Sequence, residues 1–498
     1  MDLAITLDQT LALPLHQQLY EALRQAILTG QLPAGQRLPS TRVLAQSLHV
    51  ARGTVKLGYE QLLNEGYVET IRGSGTFVCQ DVCQDLTQQQ QPQSPAAITP
   101  DRAVPPPLSL SRYARSLVIP PPTPPQPSPE IDFCYWRPAL DQVPLDRWRR
   151  LTVRQLQALA TTNLDYNTDG LGYRPLREAI AQYLARSRAV RCTPNQVMIT
   201  NGTQQAVDLI ARLLLEPGTA IALEEPGYLS ARRIFQSQGA KLIPIPVDAD
   251  GLQVSALRSP SQAQPKLVYV TPSHQFPTGS ILPLPRRLEL LAWAKQTGAL
   301  IIEDDYDSEY RYGERPIPAL QGLDPHQVVL YIGTFSKVLF PALRIGYLVL
   351  PPSLVSVFVE AKRLSDRHQP TVDQAVLAEF IQQGYLERHL RRMRNLYTQR
   401  RQVLVNALQT HLGDRIKIFG DSAGIHLLIE IDTSLSEQEL LEQATARGLR
   451  LTGCSDFYLH KPVCKRFLLG YANLEPTQIE AGVQRLAEVL MIHPMHDA

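Results

Sequence analysis

The sequence predicts a multidomain chain: a small, mainly helical N-terminal unit closed by a β hairpin, a linker, and a large α/β domain on a parallel sheet. Three observations predict it. Apolar residues in the first 80 positions recur at helical spacing and then switch to alternation. A proline- and glutamine-rich stretch follows, with QQQQPQ, PPP at 105–107 and PPPTPPQPSP at 120–129. From Ile131 onward, short apolar runs alternate with amphipathic helical patterns. The expected domains are residues 1–80, a linker over 81–130, and residues 131–498.

Composition bounds the function. Net charge is +2, so nothing in bulk argues for nucleic acid, and any basic surface must be local. Six cysteines, Cys79, Cys83, Cys134, Cys192, Cys454 and Cys464, are scattered without a CxxC pair. Reduced thiols are expected, not a disulfide framework or a metal site. The opening MDLAITLDQ lacks a basic segment followed by an apolar one, so no secretory signal is expected. No apolar run reaches membrane-spanning length. A cytoplasmic protein without a membrane partner is expected.

In the first unit, Leu15, Leu19, Leu23, Ile27 and Leu28 mark a helix from Pro14 to about Thr29, with Gly30 just beyond. Ser40 can cap a short helix over Thr41–Leu48. His49 and Val50 make a turn, and a second helix runs from Ala51 to about Glu65. Tyr67–Val78 alternates around the tip Arg72–Gly75, which gives a two-stranded wing. Two short helices, a tight turn and a wing form a winged helix-turn-helix. The first 80 residues hold six basic and six acidic side chains, but these are segregated. No carboxylate lies between Glu21 and Glu60, where Arg37, Arg42, Arg52 and Lys56 fall. Phosphate contacts need such a local basic face. The expected contacts to double-stranded DNA are Ser40, Arg42, Arg52, Thr54 and Lys56, with Arg72 and Gly73 of the wing. A solvated helix face would explain the charge alone equally well.

The proline runs of the linker favour a stiff spacer with too little apolar surface to order itself. A docking motif for a partner is the rival reading.

The large domain carries the chemistry in YIGTFSKVLFPALRIGY, Tyr331–Tyr347. Val328, Val329, Leu330 and Ile332 read as a buried strand, Gly333 ends it, and Thr334–Lys337 lie in the turn beyond. A lysine in a dry site loses its proton readily and forms a Schiff base with a carbonyl. The hydroxyls of Thr334 and Ser336 and the fork of Arg344 suit a phosphate. Schiff-base lysine plus phosphate cradle points to pyridoxal 5'-phosphate (PLP). That cofactor needs a carboxylate to keep its pyridine nitrogen protonated. Ala299–Ile302 form a strand-like run that ends in Glu303, Asp304, Asp305 and Tyr306. Alternate residues share a side, so Asp304 and Tyr306 face one ligand and Asp305 ranks second for the nitrogen. Val197–Thr200 is a strand, Asn201–Thr203 a turn and Gln204–Leu215 a helix. Gly202, Thr203 and Gln204 there present amides to an anion. A lone Ser-Lys pair is usually a surface lysine; the acidic strand end, the arginine and the glycine turn, in this order, decide for PLP. Another strand, Leu267–Val270, ends near His274, Gln275, Phe276 and Pro277. In YLERHLRRMRNLYTQRR, Leu386, Leu390, Met393 and Tyr397 share one helical face, so the arginines are read as a solvated face, not a DNA contact.

Residues from about 131 to 490 resemble a fold-type I, aspartate-aminotransferase-like PLP domain, on TFSKVLFPALRIGY, IIEDDYDSEYRY, TPSHQFPTG and EEPGY. LPSTRVLAQSL, GYEQL, EGY and GSGTFV resemble a GntR-type winged helix. Together the chain is similar to the MocR/GabR subfamily of GntR transcription regulators. The resemblance implies PLP on Lys337, an operator DNA partner, a head-to-tail homodimer, and sensing of PLP itself or of an amine or amino-acid effector. It implies that Tyr228 stacks on the pyridine and that Tyr306 bonds the cofactor's phenolate oxygen. Phe276 stands where aminotransferases commonly have asparagine, which leaves His274 and Gln275 as the polar candidates nearby. Three other departures stand out. His49 replaces a usual glycine in the turn, and Ala51 a usual serine at the helix cap. Leu468 holds the position of the substrate-carboxylate arginine, three residues before Tyr471; the nearest arginine, Arg466, is an even offset away and so shares the face further along, which makes it the candidate for a substrate carboxylate. Ordinary α-amino-acid transamination is therefore not expected. A working aminotransferase tethered to DNA is the rival, and a regulator without cofactor the third reading.

Overall fold

A computed structural model of the chain describes residues 5–8, 11, 13–80, 109–117, 129–158, 165–166, 169–259, 263–312, 317–460 and 465–491. The chain divides into two compact units, Met1–Leu108 and Ser109–Ala498.

The first unit packs three helices, α1 (Leu15–Leu28), α2 (Thr41–Ser47) and α3 (Arg52–Asn64), with an antiparallel hairpin of β1 (Val68–Ile71) and β2 (Gly75–Val78). The apolar periodicity closes one core: Leu19, Leu23, Leu44, Val55, Leu62, Val68 and Val78 are all buried. Ser40 caps α2 by accepting from the Val43 amide at 3.3 Å. The turn into α3 passes through His49 at φ +53°, a left-handed conformation. A residue with a Cβ there costs about 1–2 kcal/mol, which is why a glycine suits this turn. Ala51 heads α3 with no side-chain cap. At the wing, Gly75 lies under Arg37, whose Nε would be 2.9 Å from an added Cβ.

Most of the expected linker lies outside the described residues. Within it, Arg112–Ser116 forms a short helix that Ser111 caps and that belongs to the second unit. Ser116 Oγ donates to the Ser237 carbonyl at 3.1 Å.

The second unit is built on an eight-stranded sheet in the order Val197–Thr200, Gly346–Val349, Val329–Thr334, Leu300–Asp305, Leu267–Val270, Ala220–Glu225, Lys241–Asp248 and Gly251–Leu252. Five neighbouring strands from Val329–Thr334 to Lys241–Asp248 run parallel. Gly346–Val349 runs antiparallel to both of its neighbours, because the chain returns directly after the lysine turn. The strands are nearly continuous apolar runs since both faces are covered. Leu209, Ile302, Ile332 and Phe358 pack on one side, and Val268, Leu290, Trp293 and Ile301 on the other.

A smaller antiparallel sheet holds Ile416–Phe419, His426–Ile431, Arg466–Gly470 and Thr452–Gly453. The helix Tyr385–Leu412 buries Leu386, Leu390, Met393 and Tyr397, as their spacing requires. Its arginines do not all face solvent. Arg400 is 1% exposed, and its Nη1 donates to the Ala472 carbonyl at 2.6 Å. Among the described residues, no helix is long and apolar enough to cross a membrane, no cluster suits a metal ion, and Cys79, Cys134, Cys192 and Cys454 form no disulfide.

Candidate functional site

The parallel strands of the large sheet bring their C-terminal ends to one cavity of about 500 Å³. This is where open α/β sheets place ligands. Strand Leu300–Asp305 delivers Asp304, and strand Val329–Thr334 delivers Thr334 and the turn with Ser336 and Lys337. The helix Thr203–Leu214 points its N-terminus, with Thr203 and Gln204, at the same space.

Lys337 is half-buried and donates from Nζ to the Trp136 carbonyl at 2.9 Å. Burial pulls its pKa down to about 8, against an upward pull from Asp307. A lysine so placed is a nucleophile near neutral pH. Asp304 is 4% exposed; Tyr269 Oη donates to its Oδ2 at 2.5 Å, and its Oδ1 has no partner. Burial pushes the carboxyl up to about 7. An orphaned carboxylate oxygen on a cavity wall calls for a cationic donor.

Another group of lining residues suits an anion. Thr334 Oγ1 and Ser336 Oγ stand 3.1 Å apart. Arg344 enters at φ +52° and bonds the Asn201 carbonyl through Nη2 at 2.7 Å. Gly202, at φ +78°, lets the guanidinium approach, since an added Cβ would stand 3.2 Å from Nη2. Two hydroxyls, an arginine fork and a helix N-terminus make a phosphate cradle.

Lys337, Asp304, Tyr306, Tyr228, Thr203, Gln204, Thr334, Ser336 and Arg344 all line this cavity. Gly202, His274 and Gln275, expected at the cofactor, are not among the lining residues. Gln275 Nε2 donates to the Pro226 and Phe276 carbonyls, and its Oε1 accepts from Thr278. His274 Nδ1 lies 3.0 Å from Tyr306 Oη and 3.0 Å from Asp307 Oδ1. Asp305 faces away: its Oδ2 accepts from Arg188 Nε at 2.8 Å and Tyr331 Oη at 2.6 Å. Arg466 is 2.8 Å from Glu430 and 3.0 Å from Tyr458 Oη, and is also not on the lining.

The sequence reading missed Tyr135, Trp136, Ser230, Tyr269, Thr271, Pro341 and His426, which line the same cavity. Tyr269 could have been found, because LVYV precedes a strand end beside Asp304. Tyr135 and His426 carry no local signal and arrive from distant elements.

In the first unit, Ser40, Arg42, Arg52, Lys56, Arg72 and Gly73 are exposed and Thr54 is half-buried. Arg42 and Arg52 line an open hollow with Gln46 and His49. Lys56 Nζ lies 3.4 Å from Glu60, so its charge is partly met within α3.

Comparison with known proteins fits both units. Residues 132–486 match the family "Aminotransferase class I and II", and residues 15–78 match "Bacterial regulatory proteins, gntR family". A probable rhizopine catabolism regulatory protein MocR of Rhizobium meliloti is 38% identical over 98% of this chain and 96% of its own. The chain belongs to the MocR-like gntR regulators with a class I and II aminotransferase domain. The HTH-type pyridoxine biosynthesis transcriptional regulator PdxR of Corynebacterium glutamicum is 34% identical over 92% of each chain. Among solved structures, LysN, an α-aminoadipate aminotransferase of Thermus thermophilus complexed with N-(5'-phosphopyridoxyl)-L-leucine, superposes at TM-score 0.67. It is 30% identical over 72% of this chain and 92% of its own. A kynurenine aminotransferase of Pyrococcus horikoshii superposes at 0.69, with 29% identity over 74% and 91% of the two chains. This regulator therefore joins a DNA-binding helix-turn-helix to an aminotransferase fold, and the cavity of that fold fits PLP: the unpaired Asp304 oxygen suits the ring nitrogen and the cradle suits the phosphate.

Proposed function

We propose that this regulator binds operator DNA through its N-terminal winged helix and holds PLP on Lys337, so that PLP or an amine effector biases DNA binding. The single observation that carries the proposal is the cavity itself. It joins a nucleophilic lysine, a carboxylate oxygen without a partner and a phosphate cradle in one space, in a chain that carries a DNA-binding domain.

Bound there, PLP supplies an aldehyde carbon that condenses with a primary amine. The chain's own residues set the stage. Thr203, Gln204, Thr334, Ser336 and Arg344 hold the phosphate, with Gly202 keeping the arginine's approach open. Asp304 Oδ1 accepts from the protonated ring nitrogen, while Tyr269 fixes the other oxygen. Tyr228 covers a face of the ring, and Phe276 packs edge-on against Tyr228 at 5.8 Å. Tyr306 reaches the phenolate side, held by His274. His274 and Gln275 support the site, His274 through Tyr306 and Gln275 through the Pro226 and Phe276 carbonyls.

Arg42, Arg52, Thr54 and Lys56 meet the duplex, and Arg72 and Gly73 of the wing reach the adjoining groove; Ser40 orders the entry to α2. The regulator works in the cytoplasm as a head-to-tail homodimer, so the operator carries paired half-sites. An enzymatic reading is weaker, because Leu468 is fully buried among apolar side chains at the place where a substrate carboxylate would need a cation.

DNA binding to the region upstream of the protein's own gene, with and without PLP and a panel of amines, tests the proposal. DNA affinity that changes with PLP supports it. A protein that binds PLP but whose DNA affinity ignores PLP and every amine overturns it.

A further inference from the structure

We propose that His426 is the recognition residue for the amine effector, and that this effector carries an uncharged hydroxyl group instead of a carboxylate. The inference rests on the reading of the cavity as a PLP and amine site and names the ligand class.

His426 opens the strand His426–Ile431 and is 2% exposed, yet it contributes to the cavity wall. Neither ring nitrogen has a hydrogen-bond partner. Burying an imidazole unpaired is costly, so the site is completed by a group that pairs with it. The Pro277 carbonyl approaches the ring without completing a hydrogen bond, and the aromatic neighbours supply none. Phe276 and Tyr135 pack on it with ring centroids 5.8 Å and 6.2 Å away. His274 lies 5.1 Å off, and its Nδ1 is engaged by Asp307 and Tyr306.

The charge of the cavity restricts the ligand further. Among the described lining residues only Lys337 and Arg344 are standing cations. Arg344 is tied to the Asn201 carbonyl at the phosphate end. Leu468 is fully buried with Phe276, Leu428 and Phe457, and Arg466 is engaged by Glu430 and Tyr458. The cation near His426 is Lys337, and its amine is committed to the cofactor in this reading; a carboxylate there would lie buried without a cation of its own among the described residues, which is unfavourable. The imidazole cannot become that cation easily. Burial drives its pKa well below the usual value, and His274 and Lys337 push the same way, against a smaller upward pull from the Pro277 carbonyl. A neutral imidazole offers one donor and one acceptor, and a hydroxyl offers both in return.

The test uses the PLP-loaded full chain and two matched sets of probes. These are ethanolamine, glycine and ethylamine, and phenylalaninol, phenylalanine and phenethylamine. Apparent Kd is read from the change in the visible cofactor band and separately from DNA affinity. In the set that fits the cavity, the amino alcohol should bind about three- to tenfold tighter than the alkylamine. It should bind more than about a hundredfold tighter than the amino acid. His426→Phe should keep the cofactor band and lose the preference for the alcohol over the alkylamine. His426→Gln, which keeps a donor and an acceptor, should retain part of it. Tightest binding of an amino acid, equal binding within both sets, no response to any probe, or an unchanged preference in His426→Phe overturns the inference. Absence of any cofactor band in the wild-type chain is a different result: it overturns the PLP reading itself, and this inference with it.

Discussion

Asp304 and Asp305 are consecutive residues of one strand and serve opposite sides of the sheet. Asp304 leaves one oxygen unpaired at the cavity, while Asp305 accepts from Arg188 Nε at 2.8 Å in a buried pair. The alternation of a strand separates the two carboxylates, so their substitutions should separate as well. Asp304→Asn should leave the melting temperature nearly unchanged and weaken PLP binding. Asp305→Asn should strand the Arg188 guanidinium and destabilise the unit by about 3–5 kcal/mol. Denaturant midpoints and PLP titrations of both variants check this; normal PLP affinity in Asp304→Asn with lost affinity in folded Asp305→Asn would reverse the assignment.

Attachment of PLP should depend on pH through Lys337. Below about 8 its amine is mostly protonated and cannot attack a carbonyl; above that value the free base dominates. The rate of cofactor attachment to the apo-protein should therefore rise with pH up to about 8 and then level off. Stopped-flow absorbance across this range measures it. Borohydride should fix the cofactor on the Lys337 peptide; a label found elsewhere contradicts the assignment.

The helix-turn-helix carries two correctable costs. His49 sits at φ +53° and α3 begins at an uncapped Ala51. His49→Gly should stabilise the first unit by about 1 kcal/mol through relief of the left-handed backbone, and Ala51→Ser by about 1 kcal/mol through a new cap. Thermal unfolding of the full chain, followed at its first transition, reads both.

Glu60 lies 3.4 Å from Lys56, and on the proposed DNA face its carboxylate would oppose the phosphates. Glu60→Gln should tighten binding to all duplexes alike and steepen the salt dependence, because it frees a cation for phosphate. Arg52→Ala should cost roughly 1–3 kcal/mol and relax preference at one base if the guanidinium reads a guanine. Titrations at two salt concentrations distinguish the two effects.

Much of this architecture is legible in short stretches. Strands Val197–Thr200 and Leu267–Val270 are found with the limits read from their apolar runs, because turn residues bound each run. The three N-terminal helices lie within about two residues of their apolar periods for the same reason. The nine lining residues named in advance sit at strand ends or helix starts, where local pattern fixes position. What escaped depends on long-range closure. Gly346–Val349 looks like any short apolar run, and only its pairing shows that it runs back against the lysine strand. His426 belongs to the smaller sheet, and no spacing within HLLIEI distinguishes its first residue from an ordinary core position. The helix Arg112–Ser116 rests on a single serine cap inside a proline-rich segment, a signal too short to read there.

Control of DNA binding through Lys337 is tested most directly by operator titration of the wild-type chain and Lys337→Ala, each with and without PLP. The wild-type chain should change its affinity on PLP addition by at least about fivefold, the low end of ordinary coupling between sites. Lys337→Ala should bind the same DNA and ignore PLP. Equal responses of the two proteins to PLP would contradict control through this lysine.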